Sequence, residues 1–402
     1  MLQTGRPPRL ATADRSAGVA GRSGSAAQTP ATPSAGTGDG RHQGSPGGRT
    51  RARLDTVTGL RGLAAAIVFV PHAGIVLTGT AHHIDGLVVG PGNRALGFFF
   101  ALSGFVLTWS VRPGDTAGGF WQRRFARIYP AYVVTLVAAV FVTGVIQRHL
   151  LPAGPFLATV FTVQAWFPSS YWYFSYNGVD WTIACEAFFY LLFPLFIRPL
   201  AGLSRTGRRR LQVLMYVALV GFSLAAEATG TSWLAHQFPV ARLPEFVLGA
   251  TLALDIARGE VLARGFGLGK CLVLGLGLWV LTALPVPVLG GLPLITIPVL
   301  LGLSAGALTD LAGQPSLLSR RAMVWFGEIS YCFYLVHQLV LKSVASLLVD
   351  RIWLPGQGII WAVLSFAAAI PIAWALHRWV EIPGNLLLRG NSRRRQPVTL
   401  QQ

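Results

Sequence analysis

Apolar segments long enough to cross a lipid bilayer recur along almost the whole of this 402-residue chain. A helix needs about 20 predominantly apolar residues to span the hydrocarbon core, and in lipid its backbone groups must be satisfied internally. Hydrophobic residues make up 52% of the sequence and charged residues only 12%. The sequence therefore predicts an all-α, polytopic integral membrane protein of the cell membrane with about ten transmembrane helices. The predicted spans are residues 57–79, 94–111, 125–147, 179–199, 211–228, 242–258, 270–288, 292–311, 325–349 and 358–379.

Positive charge is concentrated in the tails and in short loops between these segments, and this sets the predicted orientation. Because Lys and Arg favour the cytoplasmic side, both termini are predicted to be cytoplasmic. An eleventh apolar stretch, 155–167, is short, and a crossing there would move the arginine-rich loop 198–210 outside. Residues 148–178 are therefore expected at the outer surface. The same topology accounts for the net charge of +18 without a nucleic-acid partner.

Composition divides the chain into one membrane domain and two tails. Residues 1–53, rich in Gly, Ser, Ala, Thr, Pro and Arg, are predicted to be a disordered basic cytoplasmic tail. Residues 54–388 form the predicted membrane domain, in contact with lipid, and 389–402 a second basic cytoplasmic tail. The three cysteines have no paired spacing, which argues against disulfides and a zinc site. We expect neither a metal nor a bound cofactor.

Two ionisable residues, Arg61 and His72, lie eleven positions apart in the first apolar segment. Ionisable side chains in a membrane helix are costly and mark candidate functional sites. Eleven residues of ideal helix advance about 16 Å and turn about three times, so the two side chains share one face at different depths. Glu186, in the fourth segment, is predicted at a depth similar to that of His72, where the two side chains can meet.

Further ionisable residues lie within the predicted spans or at their ends: His337, Arg124, Arg127 and Glu381. Each also has a purely structural interpretation. An intramembrane histidine serves as a hydrogen-bond partner between helices, and arginines at the cytoplasmic start of a helix follow from topology alone. Glu381 can pair with Arg378 or with a cytoplasmic arginine, and Glu186 can form a buried salt bridge.

Several motifs, in order, resemble the integral-membrane acyltransferase-3 family over about residues 54–388. Within that family, SGFVLTWSVRPGDT followed by FWQRRFARIYP is most similar to the actinomycete branch that acylates macrolide hydroxyls or their sugars. The motifs are LDTVTGLRGLAAAIVFVPH with Arg61 and His72, GFFFALSGFVLTWS, RRFARIYPAY with Arg124 and Arg127, WTIACEAFFYLLFP with Glu186, ISYCFYLVHQ with His337, and EIP beginning at Glu381.

The resemblance implies a ten-helix membrane enzyme in which His72 is essential for acyl transfer and the arginines help to hold an acyl-coenzyme A donor. Imidazole titrates near neutrality and suits the base that takes the hydroxyl proton, with Glu186 orienting it. Arg61, Arg124 and Arg127 map to the cytoplasmic mouth, where guanidinium groups bind phosphate bidentately. His337 and Glu381 are expected in supporting roles.

The sequence leaves open two kinds of acceptor and one other class of protein. The favoured acceptor is a hydroxyl of a small glycosylated or macrolide-type molecule, and the alternative is a cell-surface polysaccharide or lipid-linked sugar. A membrane transporter is the rival from another class, because ten helices with intramembrane ionisable residues fit that description too. The chain shows no internal repeat of the kind that marks many transporters.

Overall fold

The computed structural model describes residues 53–76, 85–111, 114–150, 152–260, 265–283, 293–348 and 357–389, without the side chains of 85–95, 279 and 282–283. The two predicted tails fall outside these ranges except for Arg53 and Arg389. Every regular element in the described ranges is helical, in agreement with the predicted fold class. The helices are α1 Asp55–His72, α2 Asp85–Ser110, α3 Ala117–Phe141, α4 Ala153–Val160, α5 Ser170–Tyr173, α6 Trp181–Gly202, α7 Arg205–Thr229, α8 Trp233–His236, α9 Pro239–Ala257, α10 Leu268–Ala283, α11 Thr296–Leu311, α12 Arg321–Leu348, α13 Gln357–Leu376 and α14 Ile382–Leu388.

Each of the ten apolar segments expected from the sequence overlaps one of these helices, and the ends of four segments lie outside the described residues. Within the described ranges, six helical stretches are long and apolar enough to cross a membrane. The protein is thus a multi-pass membrane protein whose described part is all-helical, whereas the count of ten spans and the cytoplasmic position of the termini stay predictions. The six are Asp55–Ile75, Ala117–Ile146, Trp181–Gly202, Arg205–Thr229, Arg321–Leu348 and Gln357–Leu388, and shorter apolar helices are Leu96–Ser110, Leu268–Leu278 and Thr296–Leu311.

The segment expected at the outer surface contains α4, which has eight residues. At 1.5 Å per residue this helix is about 12 Å long, too short to cross a bilayer. Side chains from neighbouring helices hold the segment in place. The Tyr132 hydroxyl on α3 donates to the Thr159 carbonyl at 2.7 Å, and Trp233 Nε1 donates to the Ala165 carbonyl at 2.9 Å.

The helices α2 and α9 cross in backbone contact because glycine lies at the crossing. A Cβ added to Gly104 would lie 1.9 Å from the Phe246 carbonyl oxygen, and one added to Gly249 would lie 1.8 Å from that of Ala101. Small residues at helix crossings allow this close approach in membrane proteins. The crossing holds α2, which lines the candidate site, against α9.

The helices α1 and α12 pack together in the same way. A Cβ on Gly327 would lie 2.0 Å from the Thr58 carbonyl oxygen. The start of α1 has no side-chain cap of its own. Asp310 on α11 supplies one, since its carboxylate accepts from the Thr56 N–H at 2.9 Å and the Val57 N–H at 3.3 Å. These contacts fix the position of α1, which carries Arg61 and His72.

Arg208, at the start of α7, is fully buried, although its loop looks like a simple topology marker in the sequence. Its Nε donates to Asp255 on α9 at 2.7 Å, and it also pairs with Glu260. The second oxygen of Asp255 accepts from Gln212 at 2.8 Å. Because a buried charge is tolerated only when it is paired and hydrogen-bonded, this network ties α7 to α9.

We expect Arg208→Ala to lower the stability of the protein by about 1.5–3 kcal/mol, because it removes the charge-assisted hydrogen bond to Asp255, which keeps Arg209 at 3.1 Å and Gln212 as partners. The exposed neighbour Arg210 is the matched control, and Arg210→Ala should change stability by less than about 0.5 kcal/mol. Thermal unfolding of both variants in detergent measures the difference. Equal midpoints would show that the network contributes nothing to stability.

Candidate active site

Two histidines from different helices lie in contact at the end of α1. His72 is the last residue of α1, and His337 lies in the middle of α12. His337 Nε2 is 3.2 Å from His72 Nδ1, and the ring centroids are 5.0 Å apart. His337 is almost completely buried, whereas His72 is half-buried. The structure thus gives His337 a direct partner that sequence reasoning did not assign to it.

The hydrogen bonds of the pair fix which nitrogens carry protons in the neutral state. His337 Nδ1 lies 2.7 Å from the Tyr334 carbonyl oxygen, which only accepts, so this nitrogen is the donor. His337 Nε2 is then an acceptor and takes a bond from His72 Nδ1–H, which also lies 2.8 Å from the Val68 carbonyl oxygen. The proton-free nitrogen of His72 is therefore Nε2. An imidazole held in this tautomer presents a base.

A second feature is a cavity of about 330 Å³ between α1, α2, α3, α6 and α12. Polar groups from all five helices line it, together with aromatic and aliphatic side chains. The Tyr190 hydroxyl donates to Glu186 Oε2 at 2.7 Å and lies 3.1 Å from Ser103 Oγ. The ionisable side chains of the lining are Arg61, Arg124, Arg127, Glu186, Tyr190, Tyr331, Tyr334 and Arg389.

The charges around this cavity are only partly compensated. Arg127 forms an ion pair with Glu381 at 2.9 Å. Within the described part of the chain, neither Arg61 nor Arg124 forms such a pair with a carboxylate. The buried Nε of Arg124 also has no hydrogen-bond partner there. Two half-buried guanidinium groups without an ion pair make this cavity suited to an anion.

The structure brings Arg61, Arg124, Arg127 and Glu186 together, as the predicted topology suggests, but it does not bring Glu186 to His72. Glu186 faces the arginine cavity, and its hydrogen bond goes to Tyr190, one turn along α6. His72 is not among the cavity lining and bonds to His337 because α12 packs beside α1. The expected His72–Glu186 contact is therefore absent from this arrangement.

Apolar side chains separate the histidine pair from the arginine cavity. Val68 lies on α1 between Arg61 and His72 and packs in one buried group with Leu96 and Tyr334. Tyr334 lines the cavity, and its ring lies 5.7 Å from that of His337. A molecule held by the arginines thus reaches His72 only if these side chains move.

Glu381 takes part in a buried group at the end of α13. Besides its ion pair with Arg127, its Oε2 lies 2.7 Å from His377 Nδ1 and accepts from the Cys332 thiol at 3.1 Å. The sequence leaves open a pairing with Arg378 or with a cytoplasmic arginine, and the structure gives Arg127. Donor atoms of Cys332, His377 and Glu381 are close enough to share a metal ion. The guanidinium of Arg127 already balances the carboxylate, so the group does not require one.

Arg389 is a cavity residue that sequence reasoning missed. It lies at the first position of the predicted C-terminal tail, and its charge is indistinguishable there from the basic residues that follow. Only the return of α14 toward α3 shows its position. Gln122 on α3 donates to the Leu388 carbonyl at 3.0 Å, immediately before Arg389.

Comparison with known proteins identifies the class to which this fold and site belong. Residues 54–378 match the family model Acyl_transf_3, described as an acyltransferase domain. The chain belongs to this family of membrane acyltransferases, which confirms the resemblance seen in its motifs. No solved structure matches the chain.

Two relatives are similar to most of the chain, and a third is similar to a shorter part of it. It is 32% identical over 374 residues to acyltransferase MdmB of Streptomyces mycarofaciens, covering 86% of this chain and 94% of that protein. It is 29% identical over 325 residues to exopolysaccharide production protein ExoZ of Rhizobium meliloti, covering 78% and 94%. The similarity to peptidoglycan O-acetyltransferase OatA of Listeria monocytogenes is 27% over 169 residues, only 37% of this chain and 25% of that protein.

The tautomer argument makes His337 a positioning residue, and its variants test this. His337→Leu removes one of the two acceptors of His72 Nδ1–H and leaves the Val68 carbonyl, whereas the Oε1 of Gln in His337→Gln can still accept from it. We expect kcat of acyl transfer to fall about tenfold in the Leu variant and less in the Gln variant, because one hydrogen bond to the transient imidazolium is lost only in the former. Unfolding midpoints serve as the control. Equal rates in two equally stable variants would reduce His337 to a packing residue.

Proposed function

We propose that this protein is an O-acyltransferase that moves an acyl group from acyl-coenzyme A to a hydroxyl of a small glycosylated or macrolide-type acceptor. The observation that carries the donor assignment is the cavity in which Arg61 and Arg124 lack carboxylate partners among the described residues. Acyl-coenzyme A is a polyanion, and its phosphates match this unbalanced positive charge. Arg127 and Arg389 add to the same wall.

The distance along α1 fits a donor held at one end and attacked at the other. Arg61 and His72 are eleven residues apart, about 16 Å along an ideal helix, which suits an extended arm between phosphate and thioester. Val68 and Tyr334 belong to one buried group, and Tyr334 both lines the cavity and contacts His337. In the proposed complex, donor binding displaces part of this apolar layer. Glu186 then serves the donor side, where its carboxylate bonds to Tyr190 beside the arginines.

His72 acts as the general base in the proposed reaction. Its Nε2 takes the hydroxyl proton of the acceptor while the hydroxyl oxygen attacks the thioester carbonyl carbon. The tetrahedral intermediate collapses with cleavage of the carbon–sulfur bond, and the thiolate leaves as a thiol with the proton from His72. His337 Nε2 accepts from Nδ1–H throughout and stabilises the transient imidazolium, as an acid does in hydrolytic triads.

The choice of acceptor rests on the motif resemblance to the actinomycete branch and on the similarity to an acyltransferase from Streptomyces along 94% of its length. A polysaccharide or lipid-linked sugar is the second candidate, favoured by the similarity to an exopolysaccharide production protein. Both candidates make the protein an acyltransferase. Formation of a covalent acylated product by the purified protein distinguishes an acyltransferase from a transporter, which forms no such product.

His72→Ala is expected to reduce acyl transfer by roughly 10²–10⁴-fold, because general-base catalysis contributes that much to such reactions. Product formation by purified protein, followed by mass spectrometry, measures the loss. The unfolding midpoint should remain close to that of the wild type because His72 is half-buried at the end of α1. A folded His72→Ala variant with wild-type turnover would refute the base assignment.

Adjacent arginines on α3 test the donor site. Arg124 lines the cavity. Arg123 is not part of the lining and instead forms an ion pair with Asp115, with an N–O distance of 2.9 Å. We expect Arg124→Ala, like Arg61→Ala, to raise the KM for acyl-coenzyme A about tenfold or more, since a charge-assisted bond to phosphate is lost, with a smaller change in the acceptor KM. Arg123→Ala is the matched control. An equal donor KM in the Arg123 and Arg124 variants would remove the cavity from donor binding.

A further inference from the structure

A buried polar group lies close to the α12 turn that carries His337, outside the lining of the arginine cavity. It consists of Gln164, Asn177 and Asp180 from the segment expected at the outer surface and its junction with α6, together with Gln338 on α12. The exposed fractions of these residues are 1%, 2%, 2% and 8%. None of these residues takes part in the donor site.

Hydrogen bonds hold these side chains together. Asn177 Nδ2 donates to Asp180 Oδ1 at 2.9 Å and to the Leu335 carbonyl at 2.9 Å, two residues before His337. Gln164 Nε2 donates to the Asp180 carbonyl at 2.9 Å. Gly178 lies so close to Gln338 that an added Cβ would be 2.7 Å from its Oε1. The polar group is therefore a built arrangement that extends to the neighbour of His337.

The buried atoms of this group that lack a partner are all oxygens. Gln164 Oε1, Asn177 Oδ1, Asp180 Oδ2 and Gln338 Oε1 are buried and form no hydrogen bond in the described part of the chain. Buried polar atoms are nearly always satisfied, so a cluster of such exceptions calls for an explanation. The amide nitrogens of Gln164 and Asn177 are already used as donors, which leaves their oxygens free for a ligand that donates.

The charge nearby selects among ligands that donate. The Lys342 ammonium donates to the Tyr176 carbonyl at 2.9 Å and lies within electrostatic range of both Asp180 and His72. It balances Asp180 and disfavours a second cation. Neutral hydroxyl groups fit best, because each supplies a donor without adding charge. The bond from Asn177 to the Leu335 carbonyl places the group against the turn of α12 that carries His337, the partner of the proposed base.

We propose that Gln164, Asn177, Asp180 and Gln338 form the acceptor subsite and recognise hydroxyl groups of a sugar-type acceptor, an inference that rests on the proposed acyl transfer. The acceptor thus approaches the histidine pair from the side of residues 164–180, and the donor approaches from the arginine cavity. The two substrates then meet at His72. This arrangement suits direct transfer between two substrates bound together.

Two buried glutamines provide a matched test. Gln237 is also buried, at 4% exposure, with an Oε1 that lacks a partner among the described residues, but it lies beside Cys185 and outside the polar group. We expect Gln338→Met to raise the acceptor KM about tenfold more than the donor KM, since one hydrogen bond to the acceptor is lost. Gln237→Met should leave the ratio of the two KM values unchanged. The probes are acyl-coenzyme A and a panel of glycosylated macrolides and simple methyl glycosides.

Binding without turnover separates this inference from the proposed reaction. The glycoside probes should raise the unfolding midpoint of the wild type and of Gln237→Met, and should not raise that of Gln338→Met. This pattern in a protein that forms no acylated product would keep the subsite and refute the acyl-transfer proposal. If the two glutamine variants have the same acceptor KM, or the same midpoint shift with the glycosides, the subsite proposal is wrong. Buried water is then the partner of these oxygens. Absence of binding by every probe to the wild type would overturn the subsite proposal as well.

Discussion

At Gly327, α1 and α12 cross so closely that a Cβ would lie 2.0 Å from the Thr58 carbonyl oxygen. Because the two helices then run side by side, His72 and His337 come within 3.2 Å of each other. The same helix, α1, carries Arg61 into the wall of the arginine cavity. One helix crossing thus positions the proposed base, its hydrogen-bond partner and part of the proposed donor site, and a shift of α12 relative to α1 would separate all three.

Buried charges in this membrane domain fall into two groups. Arg208 with Asp255, and Arg127 with Glu381, are paired side chains that hold helices together. Arg61, Arg124 and the acceptor oxygens beside His337 lack such partners within the described ranges. Since burial of an uncompensated polar group is costly, the second group indicates where substrates supply the missing partners. We propose that the arginines bind an anion and that the oxygens bind hydrogen-bond donors, so the two groups differ in chemistry.

The sequence predicts much of the fold but only part of the site. Apolar length predicts each of the ten segments that form helices, and the helical period places Arg61 and His72 on one face, because both properties are local. The partner of His72 depends on which helices pack together, and local periodicity carries no such information. Depth in the membrane suggested Glu186, whereas packing of α12 beside α1 supplies His337. Arg208 and Arg389 escaped notice for a similar reason, since their neighbours in sequence are equally basic.

The structure of the purified protein with a non-hydrolysable thioether analogue of acyl-coenzyme A tests whether the arginine cavity holds the donor with its acyl group at His72. We expect a phosphate of the analogue to contact Arg61 and Arg124, the side chains of Val68 and Tyr334 to have moved apart, and the acyl carbonyl to lie close to His72 Nε2. The His72–His337 hydrogen bond should persist in that complex. An analogue bound with its phosphates away from both arginines, or with its acyl end remote from His72, would contradict the account.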